Sequence, residues 1–146
     1  MARIRMCILY DFSASLNALV VGTGNRSELM TGYTTQYGDN ACAFEPIGHL
    51  YKCEVQKLAA LLPIDKRIIQ KAPSADLWNG QTDEEEMGLT YQNLDEILHL
   101  LFDQHQTPEA IIQRGFAETE VLKVLDLHRK SEFKRKLPPL IDDLEY

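Results

Sequence analysis

Val20-Val21-Gly22-Thr23-Gly24-Asn25-Arg26-Ser27-Glu28, running on to Gly38-Asp39, decides how this chain is read. The apolar run Ala18 to Val21 ends at a glycine turn, and a helical segment opens at about Asn25. A strand that stops at glycines and feeds a helix presents unpaired backbone N–H groups and a positive helix end, which suits a phosphate. Glu28 stands one turn into that helix, where a carboxylate can hold a divalent cation beside the phosphate. The stretch has neither a dinucleotide G-x-G-x-x-G nor a Walker lysine, and a plain strand-to-helix connection is the alternative reading.

Working outward, residues 2–17 read as a helix with Ile4, Cys7, Ile8 and Phe12 on one apolar stripe. Ala18 to Val21 reads as a buried strand, because it is apolar on both faces. Residues 33–48 mix glycine, aromatics and proline without a period and read as a loop. Leu50 to Leu62 reads as an amphipathic helix with Leu50, Val55, Leu58 and Leu62 inward, stopped by Pro63. Asp65 caps a short helix through Gln70, and 71–89 reads as a long mobile loop, a feature that is often functional. Helices follow at Gln92–Phe102, Pro108–Arg114 and Glu118–Lys130. One strand cannot make a sheet, so partner strands are expected from other chains or from an upstream part of a longer α/β protein.

The 146 residues suit one domain or a piece of one, and a net charge of −7 argues against a general nucleic-acid or membrane-surface binder. Asp11 interrupts the apolar stretch after Met6 to Tyr10, so the N-terminus does not read as a secretory signal. Three cysteines without ligand spacing fit thiols in a reducing compartment, and the expected location is the cytoplasm.

Five stretches carry a family resemblance: ARIRM (2–6), LVVGTGNRSELMTGYTTQYGD (19–39), PIGHLYKCEV (46–55), KAPSADLWNGQTDEEEMGLTYQNLDEIL (71–98) and FKRKLPP (133–139). In this order they resemble the C-terminal half of NAD synthetase, of the ammonia-dependent type. The resemblance implies an α/β fold, part of an adenine nucleotide alpha hydrolase-like (Rossmann-like) domain over 1–146. This stretch would be mostly helical, with one or two strands of a parallel sheet. It also implies ATP-dependent amidation of deamido-NAD by ammonia through an adenylated intermediate, with Mg2+ and a homodimer. Carried over position by position, Thr23, Lys52 and Ser74 would contact ATP and Glu28 would bind magnesium. Arg3, Gln36, Asp39, Phe133 and Lys134 would face deamido-NAD. Gln36 and Phe133 stand where many members carry lysine and histidine, and Ala43 where many carry aspartate. The family's upstream Ser-Gly-Gly-x-Asp-Ser phosphate loop is absent, so the chain alone is expected to be inactive. A non-catalytic nucleotide-binding or dimerisation module is the competing reading.

Each site residue also has a plainer role. Thr23 suits a helix N-cap and Glu28 a first-turn acid. Asp39 suits a turn, Arg3 and Lys52 a solvated surface, and Ser74 a loop or cap. Asp83-Glu84-Glu85-Glu86 reads as a solvated helix start, since four consecutive residues splay around a helix. Trp78 suits either a nucleotide cover or packing on the body. Arg129, Lys130, Lys134, Arg135 and Lys136 read as a phosphate-facing tail, because interleaved stacking aromatics are missing. His49, His99, His105 and His128 share no ligand spacing.

Overall fold

Side-chain caps decide where most of these helices begin. The structure, a computed structural model, describes residues 1–74 and 80–140. Helix α1 spans Ala2–Leu16 and α2 Arg26–Thr31. Asn25 caps α2: its Oδ1 accepts from the Glu28 N–H at 3.1 Å, and its own N–H donates to Glu28 Oε2 at 3.2 Å. The cap is therefore Asn25, not Thr23. Helices α3 (Lys52–Leu61) and α4 (Lys66–Ile69) follow, the latter capped by Asp65 as expected. Thr82, Thr90 and Thr107 cap α5 (Asp83–Met87), α6 (Tyr91–Leu98) and α7 (Pro108–Gln113). Helix α8 spans Glu118–Lys130, and a 3-10 turn at Glu132–Arg135 ends the regular structure.

The core lies in the second half of the chain. Leu94, Ile97 and Leu98 of α6, Ile111 of α7, and Val121 and Val124 of α8 are completely buried. Each contributes roughly 1.5–3 kcal/mol through apolar burial. Between α6 and α7 the helix widens into a π turn, His99–Asp103, which keeps Leu100 and Leu101 inward. Helix α6 packs against α2, α3 and α8, so the core holds the residues after the glycine turn from below.

Several expectations need correction. Among the described residues there is no strand: Ala18 to Val21 makes only an isolated parallel bridge, Val21 to Phe44. Two bonds hold it, Ala43 N–H to Val20 O at 2.9 Å and Gly22 N–H to Phe44 O at 2.8 Å. The segment is not buried, with Leu19 72% and Val21 50% exposed. A strand is a property of its partners, and only one short partner, inside the expected 33–48 loop, is at hand. The α1 stripe is likewise open, since Ile4, Ile8 and Phe12 are exposed. On α3, Leu58 and Leu62 face outward rather than inward. Within the expected 71–89 loop, residues 83–87 form α5, while Trp78 lies outside the described residues.

Candidate functional site

The glycine turn is shaped by close packing on the segment that follows. A Cβ on Gly22 would stand 2.5 Å from Cys42 Sγ, and one on Gly24 2.9 Å from Glu45 Oε1. Glycine at both positions leaves room for the Cys42 and Glu45 side chains to pack on the turn. Burial and the Glu45 charge push the Cys42 thiol up, which keeps it protonated at the cleft wall. Beside this turn opens a cleft of about 700 Å³, floored by α2 and walled by α1, residues 32–42 and α5.

Thr23, Glu28, Asp39, Lys52, Ser74 and Lys134 all line this cleft. Six of the nine expected site residues, drawn from four of the five stretches quoted above, thus share one space. At its centre Lys52 Nζ pairs with Glu28 Oε1 at 3.0 Å and sits 5.2 Å from the centre of the Tyr91 ring. Both side chains are about four-fifths buried, at 20% and 17% exposed. Lys52 is therefore not the solvated lysine of its plainer reading.

A buried relay sets this pair. Ser27 Oγ donates to Asp95 Oδ1 and accepts from the Lys52 N–H at 2.9 Å. Asp95 Oδ2 accepts from the Cys53 N–H at 2.8 Å. Asp95 and Ser27 Oγ thus each satisfy one open N–H at the start of α3, those of Cys53 and Lys52, and fix where the Lys52 backbone stands. On the far side Asp103 accepts from Tyr51 Oη at 2.8 Å and pairs with Arg26 and His99. Burial, then the bond to Asp103, pushes the Tyr51 phenol up to about 12.

Other expected residues do less direct work. Lys134 Nζ donates to Gly32 O and Thr34 O, both at 2.7 Å, closing the C-terminal end of α2. Arg135 does the same for Leu29 O and Met30 O, at 3.2 and 3.0 Å. Arg129 and Lys130 pair with Asp126, and Lys136 with Glu132. The basic run is therefore not a free phosphate-facing tail; Lys134 alone of it reaches the cleft. Asp39 Oδ1 accepts from the Thr35 N–H at 2.9 Å, a turn role at the cleft edge. Arg3 Nε donates to Gln36 O at 3.1 Å, but neither residue lines the cleft, nor does Phe133, which is 56% exposed.

Sequence reasoning missed the acidic wall. Tyr33 Oη donates to Glu86 Oε2 at 2.7 Å, and Gln81 Nε2 donates to the same oxygen at 2.9 Å. These bonds, Tyr33 first, hold the Glu86 carboxyl below its usual range. Tyr91 Oη donates to Asp83 Oδ2 at 3.1 Å. Asp83 is 4% exposed, so the expected solvated helix start is buried at its first residue. Burial first, then Glu28 and Asp83, push the Tyr91 phenol far up, so it stays a donor.

Comparison with known proteins bears on the family of the whole chain. The NH(3)-dependent NAD(+) synthetase of Fusobacterium nucleatum is 49% identical over 138 residues, 94% of this chain and 54% of that protein. That of Methanocaldococcus jannaschii is 52% identical over 139 residues, 94% and 53% of the two chains. Among solved structures, an NMN synthetase from Francisella tularensis superposes with a TM-score of 0.81 at 40% identity, covering 95% of this chain and 53% of that one. The NH3-dependent NAD synthetase of Campylobacter jejuni gives 0.74 at 37% identity, covering 96% and 52%. The chain spans about half the length of these relatives, and the fold of its described helices is theirs. With residues 1–138 matching the NAD synthase family, this chain belongs to that family.

Proposed function

We propose that this chain forms the C-terminal part of an ammonia-dependent NAD synthetase. The observation that carries the reading is the convergence of Thr23, Glu28, Lys52 and Ser74 on one cleft beside the glycine turn. The proposed reaction adenylates the nicotinate carboxylate of deamido-NAD with ATP and releases pyrophosphate. Ammonia then displaces AMP and leaves the amide. Several phosphates must share the cleft, so cations and donors are needed there. Lys52, held by the Ser27–Asp95 relay, supplies a positioned positive charge. Thr23 and Ser74 supply hydroxyl donors, and Asp39 and Lys134 border the dinucleotide side.

Magnesium fits as a partner of phosphate, not of a protein cage. Among the described residues no three His, Cys, Asp or Glu side chains cluster to hold a metal. Magnesium is commonly held by one or two carboxylates plus substrate phosphates, and Glu28 offers one such carboxylate. When bound it would neutralise charge developing on the phosphates.

Arg3, Gln36 and Phe133 lie outside the cleft, and this favours a second substrate reading. A mononucleotide acid, suggested by the Francisella neighbour's name, needs fewer contacts than a dinucleotide. The partners proposed are the upstream part of the same fold and a second copy, because the apolar face of α1 is open. The free cysteines are compatible with the cytoplasm as its location. No described helix is long and apolar enough to cross a membrane.

The test is a chimera in which this chain replaces the matched 138 residues of the Fusobacterium nucleatum synthetase. With ATP, magnesium and ammonium it should convert deamido-NAD to NAD, and the mononucleotide acid is assayed in parallel. The isolated chain is expected to show no turnover. A folded chimera that amidates neither substrate would remove the reading.

A further inference from the structure

The acidic wall of the cleft is badly suited to phosphate. Asp83, Glu86 and Glu28 all line it, and of these only Glu28 is paired with a lysine. At Asp83 the mismatch is sharpest. Its Oδ2 accepts from Tyr91 Oη at 3.1 Å, whereas its Oδ1 is buried and receives no hydrogen bond. The Tyr33 phenol is within hydrogen-bond reach of both Glu86 and Asp83 but has one proton for the two, and that proton goes to Glu86 Oε2 at 2.7 Å. Among the described residues one carboxylate oxygen is left without a donor, beside a phenolic oxygen that accepts from Gln81 Nε2 at 3.4 Å and keeps one further lone pair. Leaving a buried acceptor unmade is costly, so the position calls for a donor from outside the chain.

We propose that Asp83 Oδ1, with the Tyr33 phenolic oxygen, forms a subsite for ammonium on the α5 side of the cleft. The inference deepens the proposed function and rests on its choice of ammonia as nitrogen donor. Ammonium is small, cationic and carries N–H donors in several directions, which a carboxylate and a neighbouring phenol can receive. A divalent metal fits less well. Glu86 Oε2 already receives two hydrogen bonds, and no third metal-ligating side chain completes a cluster among the described residues. The Lys52 ammonium does not fill the position, because it is bonded to Glu28 Oε1 at 3.0 Å.

The experiment titrates the isotope-labelled chain with ammonium chloride against sodium chloride at constant ionic strength. The readout is the backbone amide shifts from Gln81 to Tyr91, with no nucleotide present. The expected result is a saturable shift with ammonium and not with sodium. The apparent Kd should rise about tenfold or more in Asp83→Asn and stay unchanged in the exposed neighbour variant Glu85→Gln. Tyr33→Phe is the second variant: it removes the phenolic acceptor, leaves Asp83 in place, and should weaken binding too. No saturable shift in the parent chain, an equal shift in both Asp83→Asn and parent, or the same response to potassium would overturn the subsite. A response to magnesium alone would overturn it in favour of a metal. The titration contains no ATP or deamido-NAD, so an inactive chimera and a failed ammonium titration remain separate outcomes.

Discussion

Replacing Asp95 by alanine should unfold the chain more readily than any other single change near the cleft. The carboxylate is 7% exposed and receives two hydrogen bonds, one from Ser27 Oγ and one from the Cys53 N–H at 2.8 Å. A hydrogen bond to a charged group contributes roughly 1.5–3 kcal/mol, and both donors would be stranded in the protein interior. The expected loss is therefore about 3–6 kcal/mol, a large share of a typical domain's total stability. At about 3 °C per kcal/mol for a chain of this size, Tm should fall on the order of 10–20 °C. Urea denaturation followed by far-UV circular dichroism measures the first quantity and a thermal scan the second. A chemical readout runs in parallel. Burial, and then the bond and charge of Asp95, push the Cys53 thiol up to about 11. Without the carboxylate, Cys53 should react faster with a thiol reagent at pH 8, under conditions where the protein is still folded. An Asp95→Ala protein that unfolds within about 1 kcal/mol of the parent, with an unchanged Cys53 rate, would refute the relay as the anchor of α3.

Gly32→Ala should be poorly tolerated, since Gly32 has φ 68° and an added Cβ would stand 2.0 Å from Ser131 Cβ. A denaturation midpoint equal to the parent's would show that α8 can shift to make room. In the active chimera, Glu28→Gln should lower kcat far more than it raises KM for deamido-NAD; parent-like turnover across a magnesium titration would remove the metal role. His128 should make stability depend on pH below neutrality. Burial first holds its imidazole below the ordinary 6.5, against the bond from its ring to Met30 O. The unfolded chain then binds the proton more tightly, so stability present above about pH 6.5 is lost as pH falls through the lower folded value. The slope of unfolding free energy between pH 7 and 5 should flatten in His128→Asn, and an unchanged slope would exclude His128 as its source.

How much of this was legible in the sequence divides by distance along the chain. Glu118–Lys130 is the helix its period announced, and Thr107-Pro108 and Asp65 mark true starts because capping is decided within three residues. The apolar run at 18–21 was read correctly as hydrophobic and wrongly as a buried strand. Its letters report what the segment can pair with, and Phe44 is the one partner it finds here. Asp95 and Glu86 gave no local signal at all. Asp95 meets Ser27 across 68 positions and Glu86 meets Tyr33 across 53, so only the packing of α6 on α2 and the approach of α5 to the segment after α2 reveal them. Asp83 was hidden differently: in a run of four acids, nothing in the letters says which one turns inward. Phe133 came from resemblance alone and Lys134 from resemblance and its basic run, and the fold brings the lysine to the cleft and leaves the phenylalanine outside.

The plain and functional readings of Glu28 turn out to be compatible, and the reason is the way its two oxygens are divided. Oε2 closes the capping box with the Asn25 N–H at 3.2 Å, which fixes the rotamer from the helix side. Oε1 points across the cleft to Lys52 Nζ at 3.0 Å. In the proposed function a phosphate arriving at Lys52 would replace one anionic partner with another, and a cation arriving with it would replace Lys52 at Glu28. In the proposed function both charges are thus compensated before and after binding, and no bare carboxylate or ammonium has to be desolvated on the way. Holding such a pair about four-fifths out of water is costly unless each member is hydrogen-bonded. The Asn25 cap meets that condition for Glu28, the Tyr91 ring faces the Lys52 ammonium at 5.2 Å, and the Ser27–Asp95 relay holds the backbone from which Lys52 reaches out. The structural bonds that make Glu28 look ordinary are the ones that keep it aimed at the cleft.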